Sequence, residues 1–367
     1  MDDSNPNITF DADGLCDNCR NFDSNIRPRW KTGQEGREKL EREVAGIKKF
    51  GRGREFDCIM GISGGTDSSY MLHMMVKEYG LRPLVFHVDG GWNSETAVNN
   101  INCLVEKLKL DLYTEVIDWD EMRNFQLAMF KSGVPHIDIP QDLAFIGVLY
   151  KFAEKHKIRH ILNGGNISTE CVDTPINIIY WGTDMVHIRD ILKKFGTVEM
   201  KSYPFSSIFY HKIYLRYFRG VKVCKPLNYM PYIKKDAMNS LERLYGWKPY
   251  PQKHFESRFT RFFEGYWLPT RFGFDMRRRE FSSLILTGQI TRDDALMLLK
   301  KPALDPEEAE QEFQYVAAKL GISIDELRRY HAMPKKFYWD YANQKWIFDI
   351  GEKILGFLTG TVRGGAY

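Results

Sequence analysis

Phe56-Asp57-Cys58-Ile59-Met60-Gly61-Ile62, then Ser63-Gly64-Gly65-Thr66-Asp67-Ser68-Ser69, then Tyr70-Met71-Leu72: an apolar run, a loop of small hydroxylated residues and a helical stretch follow one another without a break. The first run reads as a strand. Met71, Leu72, Met75, Val76 and Tyr79 recur at helical spacing as far as Gly80, which reads as the helix stop. Glycines at 64 and 65 let the backbone turn tightly and approach an anion, and the free N–H groups that open a helix favour phosphate. Ser63, Thr66 and Ser68 add hydroxyl donors. No Gly-Lys-Ser/Thr follows, so this is not a Walker loop, and chemistry at a terminal phosphate is disfavoured. Asp67 would repel a nucleotide unless it caps the helix or helps hold Mg²⁺ against phosphates. The plain alternative is a Ser/Gly turn that caps an ordinary helix.

Outward from this loop, Leu84 to Val88, Leu112 to Val116 and His160 to Leu162 read as further strands, with Ala97, Ile101, Leu104 and Leu108 on one helix between them. Alternating strands and helices predict an α/β fold, a parallel sheet covered on both faces with ligands at the strands' carboxyl ends. Asp89 ends the second strand; it suits a ribose or adenine contact and equally a turn beside Gly90-Gly91. Gly164-Gly165-Asn166 follows the fourth strand, with Thr169 and Glu170 opening the next helix. Upstream, Thr32 and Glu35 fit a capping box, and Leu40, Val44 and Ile47 fall on one helical face. Beyond about residue 200 the chain turns aromatic-rich and basic, then helical at Thr291 to Lys300 and Pro306 to Leu320. The expected organisation is a lead-in at 1–50, a nucleotide domain at 51–250 and a mostly helical region at 251–367.

The 367 residues are 43% hydrophobic and 27% charged, which excludes a disordered or collagen-like chain. Lys and Arg number 52 against 48 Asp and Glu; a net charge of +4 is too balanced to hold duplex nucleic acid by bulk charge. No apolar run reaches the roughly 18 residues of a membrane span, and Met1-Asp2-Asp3 is unlike a signal peptide, so the expected location is cytoplasmic. Six cysteines are too few for a disulfide framework. Cys58, Cys103, Cys171 and Cys224 read as buried reduced thiols, whereas Cys16 and Cys19 have knuckle spacing and make half a zinc site. Between 251 and 280 seven basic residues alternate with eight aromatics against four acids. Such a surface suits an acidic planar ligand, through bidentate arginines and stacking rings, or simply a helix with a solvated basic face.

Ser63-Gly64-Gly65-Thr66-Asp67-Ser68 resembles the SGGxDS signature of the PP-loop ATP pyrophosphatases, which bind ATP, adenylate a carbonyl oxygen and release pyrophosphate. With Val88 to Asn93, Ile139 to Asp142, Asn163 to Asn166, Thr169-Glu170 and Lys253-His254-Phe255-Glu256-Ser257, nearly the whole chain is similar to the N-acetyl sugar amidotransferases of bacterial surface-polysaccharide synthesis. The resemblance implies a sheet of the adenine nucleotide α-hydrolase type. It implies ATP on Ser63, Gly64, Gly65, Thr66, Asp67, Ser68, Asp89, Gly164 and Gly165, with Ser63, Asp67, Ser68 and Glu170 catalytic and Mg²⁺ near Asp67. Arg258, Arg271, Arg277 and His254 become candidate contacts to a nucleotide-activated sugar, and Lys225 a further phosphate partner. His136, Asp138, Glu170 and Asp184 stay open as general bases.

The resemblance also implies a second Cys-x-x-Cys pair upstream of Cys16 and Cys19, where this chain has Met1-Asp2-Asp3-Ser4; the expectation is a shortened N-terminus and a zinc site that is absent or weak. Residue 2 is Asp and no cysteine sits in a Gly-x-Cys-x-Gly elbow, so ammonia is expected from a separate glutaminase subunit. Two other readings remain: a tRNA-modifying PP-loop enzyme, and a catalytically inactive nucleotide-binding scaffold.

Overall fold

The computed structural model of the chain describes residues 1, 2, 5 and 7–359; residues 360–367, part of the expected C-terminal region, lie outside it. Its centre is a five-stranded parallel sheet in the order β3-β2-β1-β4-β5, formed by β1 (Cys58–Gly61), β2 (Pro83–Asp89), β3 (Leu112–Val116), β4 (His160–Leu162) and β5 (Lys222–Cys224). Strand order reverses beside β1: the chain builds β2 and β3 on one side, then returns to lay β4 and β5 on the other. A crevice opens at such a reversal, outside the carboxyl ends of β1 and β4. Residues 63–68 and 163–166 leave the sheet there.

The inner strands β1, β2 and β4 are buried on both faces, because their apolar residues alternate. Ile59, Leu84, Phe86 and Ile161 pack into one core, while Cys58, Met60, Ile62, Val85 and Leu162 pack into another. The second core includes Leu40, Val44 and Ile47 from the helix Gln34–Gly51. Their burial matches the sequence pattern, but the expected capping box does not form. Gly33 is the N-cap and makes no side-chain bond, which leaves Thr32 outside the helix. The helix Glu95–Leu108 is capped by Ser94 Oγ, which accepts from Ala97 N–H at 3.1 Å. Downstream, Arg292–Leu299 carries a Thr291/Asp294 capping box and Pro306–Leu320 forms as expected. Of the four scattered cysteines, Cys58 and Cys171 are buried and Cys103 and Cys224 half-buried, all with free thiols.

The first core runs through residue 250 without a break. Phe259, Phe262, Trp267 and Leu320 share it with Phe125 and Phe130, the Phe130 and Trp267 ring centroids lying 4.8 Å apart edge to face. A bridge between Asn93 and Ser257 and a bond from Arg258 N–H to the Trp92 carbonyl at 2.8 Å tie the start of this region to the loop after β2. Among the described residues no helix is long and apolar enough to cross a membrane.

Candidate active site

The loop after β1 hands the chain to the helix Thr66–His73. Gly64 has φ +83°, and a Cβ there would sit 2.8 Å from the Ala97 carbonyl oxygen, so only glycine fits. The Gly64 carbonyl is turned away from the site and accepts from Trp247 Nε1 at 2.9 Å, Tyr250 OH at 3.2 Å and Asn100 Nδ2 at 3.4 Å. Ser63 Oγ and Ser68 Oγ lie 3.3 Å apart, and Ser63 Oγ accepts from Gly65 N–H at 3.3 Å. Gly164 closes against this turn: a Cβ there would be 3.2 Å from Ser68 N. Asn163 Oδ1 accepts from Gly165 N–H at 2.7 Å, and Asn166 caps Ile167–Glu170 by accepting from Thr169 N–H at 3.0 Å.

These groups line a cavity of about 650 Å³. One wall is Ser63, Gly65–Ser68, Gly164, Gly165 and Glu170; the facing wall comes from beyond residue 250 and includes Lys253, Glu256, Thr260, Arg277 and Arg279. Lys253 spans the two. Its ammonium donates to Asp67 Oδ2 at 2.8 Å, Glu170 Oε1 at 2.7 Å and Thr169 Oγ1 at 3.0 Å, while Tyr232 OH donates to Asp67 Oδ1. Burial works against the Lys253 charge, but Asp67 and Glu170 hold it protonated well above the usual lysine range. Burial likewise works to raise Glu170, yet Lys253 and Arg279 bring it down to about 2. Glu256 lies on the loop, its Oε1 2.0 Å from where a Cβ on Gly65 would stand, and burial raises its carboxyl. His254 carries a left-handed backbone, φ +67°, and its Nδ1–H donates to Glu264 Oε1 at 3.0 Å. Burial opposes its charge, but Glu264 raises the imidazole to about 9.

His136, Asp138 and Asp142 also line the cavity. Asp138 is buried and pushed up to about 8, by burial first and then by Asp142. It accepts from Thr260 OH at 2.6 Å and from Gln141 Nε2. His136 Nδ1–H donates to the Tyr180 carbonyl at 3.0 Å and Nε2 is 3.3 Å from Asp142; burial opposes its charge, but Asp142 raises it.

Several expected site residues are used elsewhere. Asp89 accepts from Gly91 N–H at 2.8 Å and shapes the turn instead of lining the cavity. Arg258 pairs with Glu312 at 3.1 Å and covers the Tyr315 ring, outside the cavity. Arg271 is buried and donates to the His331 and Met333 carbonyls, also outside. Helix ends leave carbonyls without partners, and long arginines in the same region satisfy them first. Arg277 does reach the cavity wall, fixed by Asp275 at 2.6 Å and the Lys301 carbonyl at 3.0 Å. Asp184 caps Met185–Phe195 and accepts from Tyr180 OH at 2.7 Å, which removes it from the candidate bases lining the cavity. Lys225 sits behind Gly165, its Nζ 3.7 Å from where a Cβ there would stand, and burial lowers its ammonium while Glu170 opposes this.

Sequence reasoning did not assign Lys253 a role. Its signals were its place in the Lys253–Ser257 motif and among the seven basic residues of 251–280, and neither pointed to its partner Asp67, 186 residues away. Cys16 Sγ and Cys19 Sγ lie 3.4 Å apart, and among the described residues no group of three or more His, Cys, Asp or Glu could hold a metal. Two sulfurs do not make the four-ligand set of a structural zinc, so the zinc expectation is not supported.

Residues 57–137, which span β1, the loop, β2 and β3, match the phosphoadenosine phosphosulfate reductase domain family. Residues 256–355, which supply the facing wall, match the C-terminal domain of LPS biosynthesis protein WbpG-like proteins. The chain thus carries a domain matched to a PP-loop family, followed by a WbpG-like C-terminal domain. No curated protein matches it in sequence. Among solved structures the chain is similar to NMN synthetase from Francisella tularensis, at a TM-score of 0.36 and 14% identity over 74% of this chain and 98% of that one. It is also similar to the U34-tRNA thiolase NcsA from Methanococcus maripaludis, at 0.32 and 14% over 73% and 81%. NH3-dependent NAD synthetase from Campylobacter jejuni aligns at 0.31 and 13% over 82% and 98%.

Proposed function

We propose that the protein is an ATP-using PP-loop amidotransferase that converts the acetamido group of a nucleotide-activated N-acetyl sugar into an acetamidino group. The observation that carries the reading is the single cavity with two walls: the SGGTDS loop on one side and the start of the WbpG-like region on the other. An amide is a poor electrophile, because conjugation worth a rotation barrier of ~18–20 kcal/mol must be disturbed. Its oxygen is also a poor leaving group. Attack of the amide oxygen on the α-phosphorus of ATP breaks the bond to the β-phosphate and releases pyrophosphate. Ammonia then adds to the imidate carbon, gives up a proton, and expels AMP with the former amide oxygen.

Ser63, Gly65, Thr66 and Ser68 line the cavity with N–H and hydroxyl groups, which suit the charge that develops on a departing pyrophosphate. Asp67 and Glu170 are the carboxylates suited to Mg²⁺, which binds proteins through one or two carboxylates plus phosphates and water and would neutralise phosphate charge. Asp138 and His136 are the candidate proton acceptors for the ammonia step, since both face the cavity and both are buried. The sequence contains no recognisable glutaminase elbow, so the ammonia comes from a separate subunit.

The test is to incubate the enzyme with ATP, Mg²⁺, ammonium at raised pH and a panel of nucleotide-activated N-acetyl sugars. One sugar should drive equimolar AMP and pyrophosphate and yield a product 1 Da lighter, the difference between O and NH. Formation of ADP and orthophosphate, or AMP release driven by tRNA instead, would overturn it.

A further inference from the structure

We infer that Lys253 is a catalytic residue, the cation that leaves the carboxylates of Asp67 and Glu170 to hold the phosphates of ATP while pyrophosphate departs. This rests on the reading of residues 63–68 as the phosphate cradle. That cradle is built from neutral groups: backbone N–H donors and three hydroxyls, with Asp67 as its only formal charge. In P-loop enzymes a lysine within the loop itself follows the phosphates. Here the loop has none, and the fold delivers an ammonium to the same turn from residue 253, 2.8 Å from the loop's own carboxylate.

Three observations separate this from a structural ion pair. Lys253 faces the cavity, so its charge is reachable by a ligand that enters. Both carboxylates keep company when it turns away: Asp67 retains the Tyr232 hydroxyl, and Glu170 retains the field of Arg279 and His254. The neighbouring residue is strained. His254 holds φ +67° without being glycine, and Glu264 pins it there through a 3.0 Å bond. Such strain persists where the surroundings over-determine it and clusters at functional sites. It fixes the turn whose two flanks carry Lys253 to the loop and Glu256 against Gly65.

Loss of Lys253 should therefore cost phosphate affinity and not nucleoside affinity. Calorimetric titration of Lys253→Met with ATP and with adenosine, each against the wild-type enzyme, reads this directly. The expected result is ATP affinity down at least tenfold with adenosine affinity within twofold. Unchanged ATP affinity, or an equal loss for adenosine, would overturn the inference. Removing one cation from two buried carboxylates threatens folding, so Lys253→Arg, which keeps both carboxylates paired, is the second arm. Its KM for ATP should stay within threefold while kcat for pyrophosphate release falls at least tenfold; kcat within twofold of wild type would refute a catalytic role. The titration needs no acceptor, so it decides on Lys253 even if no N-acetyl sugar proves to be a substrate.

Discussion

The loop at 63–68 and the basic stretch at 251–280 face each other across one cavity but handle charge in opposite ways. The loop presents dipoles: N–H groups at a helix start, hydroxyls, and a glycine turn locked from behind by Trp247, Tyr250 and Asn100. The basic stretch has formal charges in abundance, and most are consumed internally. Arg258 is bound to Glu312, Arg271 to carbonyls, Arg277 to Asp275, and only part of the stretch reaches the cavity. A dipole built into a turn cannot be diverted to another partner; a long cationic side chain can, and satisfies whatever buried acceptor is nearest.

The largest effect is expected where the turn itself is broken. Gly64→Ala places a Cβ 2.8 Å from the Ala97 backbone oxygen at φ +83°. A displacement of about 1 Å in such a cradle costs on the order of 10²-fold in rate, and ATP-dependent pyrophosphate release should fall that far while the circular dichroism spectrum keeps its helical shape. Gly65→Ala, whose new Cβ meets only side-chain ends, the Glu256 carboxylate and Ser63 Oγ, should lose much less, which a side-by-side rate measurement checks.

On the other side of the comparison, Arg271→Met should leave pyrophosphate release unchanged within twofold but lower stability by about 2 kcal/mol, because charge-assisted bonds to buried carbonyls are lost. Urea unfolding measures this. A fall in turnover without a fall in stability would mean that Arg271 serves the site after all.

The pH-dependent effect concerns Asp138. Its folded carboxyl titrates near 8 against an ordinary 3.8, so between those values the folded state holds a proton that the unfolded chain has given up. Stability from this group is therefore full below about pH 4 and declines as pH rises towards 8. Asp138→Asn removes that slope: its melting temperature should draw ahead of wild type progressively from pH 4 to pH 8. A constant offset across that range would show that Asp138 is ionised throughout.

Much of the frame was legible because its signals are contiguous. The runs at 84–88, 112–116 and 160–162 became strands, and the loop between 62 and 70 became a turn at a helix start. β5 escaped notice since Lys222-Val223-Cys224 is three residues long and lies on an exposed edge, with no apolar run to announce it. The Thr32/Glu35 pattern misled because capping depends on which residue ends up at the helix boundary, and Gly33 took that place. The arginines misled for a related reason: a count of cations in a window says nothing about the carbonyls and carboxylates that packing will set beside them.

The sequence by itself determined the parallel α/β sheet, the helix-start turn and the end of the sheet at which the cavity opens, because apolar period and glycine placement act over a few neighbouring residues. Only the tertiary structure decided which charge serves the cradle, setting Lys253 between Asp67 and Glu170 and withdrawing Arg258 and Arg271. Ionic partners are chosen through space at distances of about 3 Å, and chain separations of 186 and 83 residues carry no local pattern that would reveal the choice.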